Sequence, residues 1–84
     1  MVNVIFDDAF QKTVSKIKDQ ETLKSVKNKI KKIIDDPTIG KPMRNVRKGT
    51  REVYIGGGTF RLSYAYHEEN KVLQFLDVYH KDEQ

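Results

Sequence analysis

Arg61 is the residue whose type and neighbours most clearly suggest chemistry. It stands in Phe60-Arg61-Leu62-Ser63-Tyr64, an alternating run that ties its backbone to a strand and leaves the guanidinium little room to move. A rigid, planar guanidinium suits a phosphate that must be held in one place. Asp77, in the last predicted strand, offers a second use of the same charge, a cross-strand salt bridge, and the two uses do not exclude each other. Tyr79, His80 and Lys81 follow Asp77 and would converge with Arg61 near one end of a sheet. His80 has the chemistry of a general acid or base near neutral pH, and Lys81 that of a cation neutralising charge on a phosphate. The plainer reading is an exposed His-Lys pair. Tyr54 and Arg51, on the preceding alternating run, join Tyr79 as candidate substrate-binding residues. His67 borders a turn and reads as surface. Gly56-Gly57-Gly58 joins two strands and lacks the Lys-Ser/Thr and helix N-terminus of a phosphate loop, so it reads as a hairpin turn.

The elements that must position these groups follow from periodicity. Val2 to Phe6 predicts a short strand, and Asp7-Asp8 an N-cap for a helix carrying Phe10, Val14 and Ile17. Asp19 to Thr22 starts a second helix with the stripe Leu23, Val26, Ile30, Ile33 and Ile34, ended by Asp35-Asp36-Pro37. Thr38 to Thr50 predicts a loop, long enough to suggest a role of its own, with Met43 and Val46 as anchors. Strands are predicted at Arg51–Ile55, Phe60–His67 and Val72–Tyr79, the last apolar on both faces and so central.

The order βααβββ predicts a single α+β domain over residues 1–84, with a helical hairpin covering one face of an antiparallel sheet. Val53, Ile55, Phe60, Leu62, Tyr64, Leu76 and Val78 are expected to face the helices. Glu52, Tyr54, Arg61, Ser63, Asp77 and Tyr79 are expected on the opposite, polar face. A three-residue turn, Glu68 to Asn70, would place Arg61 opposite Asp77 and keep core residues paired with core residues.

The chain has 84 residues, 33% of them charged, with a net charge of +4 and no Cys. The absence of Cys excludes a disulfide framework, a thiolate zinc site and a Cys nucleophile, and with 2 His a His-rich metal centre is not expected. Neither a membrane span nor a signal peptide is legible, so a soluble cytoplasmic protein is the expectation. The charge is unevenly spread: Lys12 to Arg51 holds 13 of the 16 basic residues and four acids. That asymmetry points to an anionic partner or to a solvated Lys-rich helix. Lys24, Lys27 and Lys31 on the second helix, with Lys41, Arg44, Arg47 and Lys48 in the loop, are the candidate nucleic-acid-binding residues.

The element order resembles that of the RelE/ParE superfamily of type II toxin-antitoxin toxins. So do Ile33-Ile34-Asp35-Asp36-Pro37, Arg51 to Gly56, Phe60-Arg61-Leu62-Ser63-Tyr64 and Val78-Tyr79-His80-Lys81-Asp82. The resemblance implies the same βααβββ fold and a cognate antitoxin that wraps the toxin. In RelE-like members it implies cleavage of mRNA in the ribosomal A site, by attack of the 2′-hydroxyl on the adjacent phosphate and without a metal or small-molecule cofactor. By that resemblance Arg61 matches the strand arginine that holds the scissile phosphate. Lys81 matches a basic position after the last strand, and His80 beside it matches the acid or base of some relatives. Glu52 and Tyr54 depart from the pattern, which often has basic residues there. The Tyr that many relatives carry beyond the position of Lys81 is also not seen before Gln84. ParE-like relatives share the fold and act on DNA gyrase. A binding module for RNA or an acidic protein, without catalysis, is the alternative from another class.

Overall fold

The computed structural model describes residues 2–43 and 49–80. Its order is β1 (Asn3–Phe6), α1 (Asp8–Lys16), α2 (Gln20–Asp35), β2 (Lys41–Pro42), β3 (Arg51–Ile55), β4 (Phe60–His67) and β5 (Val72–His80). Two helices pack on a five-stranded sheet of order β1-β5-β4-β3-β2. The two-layer α+β architecture is the expected one. The sheet is mixed, because β1 runs parallel to β5 while the other pairs are antiparallel.

The helices form where the apolar residues recur at helical spacing. The side chain of Asp19 caps α2, accepting from the Glu21 amide at 3.3 Å and the Thr22 hydroxyl at 2.6 Å. The Thr22 hydroxyl, above all, holds the Asp19 carboxyl below its usual range. Asp7 stands at the N-cap of α1 but makes no capping bond; its carboxylate accepts from Gln74 at 2.8 Å, tying the end of β1 to β5. Of the α2 stripe, Val26 and Ile33 are buried, Leu23 and Ile30 half-buried, and Ile34 exposed. Val26 and Ile33, with Ile30 packed beside them, meet Phe10, Val53, Ile55, Leu62, Tyr64, Leu73, Phe75 and Val78 in one core. Phe75 anchors it, with the rings of Phe6, Phe10 and Tyr64 at centroid distances of 5.2, 5.6 and 6.2 Å.

Three expectations are corrected. The segment after Pro37 is not all loop, because Lys41 and Pro42 pair with Glu52 and Arg51 as the edge strand β2. Pro42 is tolerated there because an edge position does not demand its missing N–H. The β4–β5 turn has four residues, Glu68 to Lys71, with Lys71 rather than Asn70 in the left-handed region at φ 55°. His67 therefore pairs with Val72, and a β-bulge then shifts the register so that Ser63 faces Asp77 and Arg61 faces Tyr79. The bulge leaves Leu76 unpaired and half-buried, and Leu73 and Phe75 take the core places expected of it.

Candidate functional site

The face of the sheet turned from the helices gathers the chemistry. Arg61 lies opposite Tyr54 on β3 and Tyr79 on β5, with Glu52 one step away along β3. Its guanidinium carbon lies 4.7 Å from the centroid of the Tyr54 ring, a cation–π contact. Its Nη1 approaches Glu52 Oε1 at 3.4 Å, a loose ion pair, while Tyr79 donates its hydroxyl to Glu52 Oε2 at 2.6 Å. Glu52 and Tyr79 are buried, each 7% exposed, so the carboxylate is held within the protein by a cation on one side and a phenol on the other. Two polar atoms on β4, Arg61 Nε and Ser63 Oγ, are buried without a hydrogen-bond partner among the described residues. This face is not a solvated polar surface. Ser63 and Ala65 are buried too, and Tyr54 (48% exposed) with the part-exposed Arg61 forms its accessible corner.

The structure brings Tyr54, Arg61 and Tyr79 together and separates others. Arg51 turns to the α2–β2 connection, donating to the carbonyls of Thr38 and Gly40 at 3.3 and 2.8 Å. The ring of His80 meets Phe60 edge-on at 5.6 Å, and Phe60 packs on the helix-covered core. His80 is thus on the other side of the sheet from Arg61. Asp77 does not pair with Arg61; its carboxylate accepts from Thr13 of α1 at 3.3 Å and from the Val78 amide at 2.8 Å. Lys24 and Lys31 are exposed on α2 away from the sheet, and Lys27 borders an apolar groove between the two helices. Lys41 stands across from Glu52 at the sheet edge. Arg44, Arg47, Lys48 and Lys81, like Val46, lie outside the described residues. Among the described residues no group of three or more His, Cys, Asp or Glu is placed to hold a metal ion.

Sequence reasoning missed Glu52 and Ser63 as members of the site, although alternation with Val53 and Leu62 already placed them on its face. It also missed the latch that carries β2. Tyr64 is fully buried, yet its hydroxyl donates to Pro37 O at 2.7 Å and accepts from the Gly40 amide at 2.9 Å. Burial raises the pKa of Tyr64, against the opposing pull of the Gly40 amide and the Arg51 charge. Asp36 completes the turn, accepting from the Thr38 hydroxyl and amide at 2.6 and 3.1 Å, and those bonds lower its pKa.

With an arginine fixed mid-sheet, an exposed tyrosine against it and a buried carboxylate beside it, this face can bind an anion and stack a ring. The backbone that carries it recurs in known toxins. A chain of the intact Escherichia coli RelBE toxin-antitoxin complex superposes with a TM-score of 0.79 at 18% identity, covering 95% of this chain and 96% of that one. The RelBE2 toxin-antitoxin complex of Mycobacterium tuberculosis gives 0.79 at 26% identity, covering 95% and 98%. The YoeB/ParE toxin of Agrobacterium tumefaciens gives 0.82 at 12% identity, covering 94% and 98%. Curated protein sequences give no significant match. A family model, that of the ParE-like toxin of type II bacterial toxin-antitoxin systems, matches residues 4–83, from within β1 through both helices and the other strands, Arg61 included. On that match and this fold, the chain belongs to the ParE-like toxins of type II toxin-antitoxin systems, within the RelE/ParE superfamily.

Proposed function

We propose that this toxin is a metal-independent endoribonuclease that cleaves mRNA on the ribosome in the cytoplasm and is held inactive by a cognate antitoxin. The observation that carries the reading is Arg61, fixed mid-strand over the exposed ring of Tyr54 with Glu52 alongside. Arg61 holds the scissile phosphate and Tyr54 stacks on an adjacent base. The 2′-oxygen attacks the phosphorus, the bond to the 5′-oxygen breaks, and a 2′,3′-cyclic phosphate remains. Glu52, the carboxylate that meets Arg61, accepts the 2′-hydroxyl proton. Water protonates the departing 5′-oxygen, with Lys81 proposed to stabilise its charge. His80, turned to the other side of the sheet, is given no part in the step. A protein of 84 residues gains from a substrate already positioned by the ribosome. The likeness to RelBE toxin-antitoxin complexes supports the antitoxin.

The buried Glu52 that occupies Arg61 Nη1 favours a second reading, in which this face is not a nuclease and the toxin acts on another target such as DNA gyrase. Induced expression of the wild type and Arg61→Ala, with mRNA 5′ ends mapped, separates the two. Growth arrest with cuts inside translated codons, both lost in the variant, is the expected result. Arrest without such cuts overturns the nuclease.

A further inference from the structure

Tyr54 belongs to two sites. Besides stacking on Arg61 it lines a groove of roughly 380 Å³ between α2 and the turn Gly56–Gly58, walled by Ser25, Asn28, Lys29 and Lys32. We propose that this groove binds the backbone of the single-stranded RNA next to the phosphate at Arg61, with Lys29 and Lys32 contacting its phosphates. The inference rests on the ribonuclease reading only in taking RNA as the ligand.

Three observations carry it. The first is charge. Among the described residues no acidic side chain lines the groove, and neither Lys29 nor Lys32 has an ion-pair partner. On the other side of the same turn a second groove is lined by Asp19 and Glu21. A polyanion leaving Arg61 is therefore drawn to the Tyr54 side and repelled from the other. The second is the floor. Gly56, Gly57 and Gly58 all have positive φ (60°, 72° and 99°), and among the described residues a Cβ on any of them would meet nothing within 4 Å. Conformation requires glycine at these positions, and the result is a wall without side chains where a ligand backbone can come close. The third is continuity. The accessible corner of the sheet face is Tyr54 with Arg61, and Tyr54 opens directly onto the groove. Lys29 and Lys32 are not the lysines that the exposed stripe of α2 singles out. They lie on the flank facing the turn, whereas Lys24 and Lys31 point away from the sheet.

The test uses the full chain and uncleavable 2′-O-methyl oligoribonucleotides of three and six nucleotides, with dissociation constants measured across a salt series. Lys29→Gln/Lys32→Gln should weaken hexanucleotide binding roughly fivefold or more, and lower the salt slope by about 1.4, as the loss of two single-strand phosphate contacts requires. Trinucleotide binding should change little. The charge-matched Lys12→Gln/Lys16→Gln pair, exposed on α1, should leave both affinities near wild type. Equal behaviour of the two double variants on the hexanucleotide overturns the groove. If codon cleavage depends on Arg61 while the hexanucleotide is indifferent to Lys29 and Lys32, the groove falls and the nuclease stands. If no cleavage is found but hexanucleotide binding depends on those two lysines, the nuclease falls and the groove stands.

Discussion

At the scale of single residues, the site rests on a buried carboxylate, and this bears on how its variants behave. Arg61→Ala takes a cation away from Glu52, which is 7% exposed and keeps the bond from Tyr79. Removing one partner of a buried pair costs about 3–5 kcal/mol in general; here about 2 kcal/mol is expected, since the contact is long at 3.4 Å and Arg61 is part-exposed. An inactive Arg61→Ala protein therefore mixes lost chemistry with lost stability. Glu52→Gln/Arg61→Ala separates them. The neutral amide needs no cation, so the double variant should recover most of the denaturant midpoint lost by Arg61→Ala and none of its activity against mRNA. If the midpoint does not recover, the Glu52–Arg61 contact contributes nothing to the fold. Arg61 and its face were legible from alternation alone. Its partner was not, because Asp77 and Glu52 are both acids at alternating positions and only the register chooses between them.

At the scale of elements, the connection from α2 into β2 depends on one hydroxyl reaching out of the core. Gly40 is buried against Tyr64, and a Cβ at Gly40 would lie 2.5 Å from the phenolic oxygen. Gly40→Ala must therefore push Tyr64 or the strap aside, break the bonds to Pro37 and the Gly40 amide, and destabilise by about 2–3 kcal/mol. Tyr64→Phe keeps the packing but leaves the Gly40 amide without its acceptor, at about 1–3 kcal/mol. Amide exchange discriminates a local latch from a general loss of stability. In Tyr64→Phe, Gly40 and Met43, whose amide donates to Thr50 O, should exchange much faster, while β4 amides change only with the global stability. Uniform acceleration would mean that the hydroxyl does not hold the strap. The helices and the three long strands could be read from periodicity and from Asp19 as a cap. The two-residue β2 could not, because a strand of that length has no period. It is held through Gly40 by Tyr64 and Arg51, 24 and 11 residues further along the chain.

At the scale of the whole molecule, one extra residue in β5 decides which groups meet on each side of the sheet. Leu73 and Phe75 enter the core at odd positions and Val78 at an even one, and the bulge beside Ser63 makes the change of phase. With a single phase along β5, Tyr79 would follow Phe75 toward the helices and leave Glu52. In sequence the bulge shows only as a strand apolar on both faces. A central strand has that signature too, and β5 is central as well, between β1 and β4. A three-residue turn with no bulge and a four-residue turn followed by a bulge both give Leu62 an apolar partner, Leu76 in the first and Val78 in the second, so that pairing could not choose between them. Deleting Leu76 tests the bulge directly. Leu76→Ala should cost about 1 kcal/mol, as a half-buried side chain outside the core cluster. Deletion of Leu76 should cost about 4 kcal/mol or more, because the strand must either turn Val78 out of the core or break its ladder with β4. Equilibrium unfolding of the two variants side by side decides the matter. Similar midpoints would mean that the sheet absorbs the missing residue elsewhere, and that the meeting of Tyr79, Glu52 and Arg61 does not depend on the bulge.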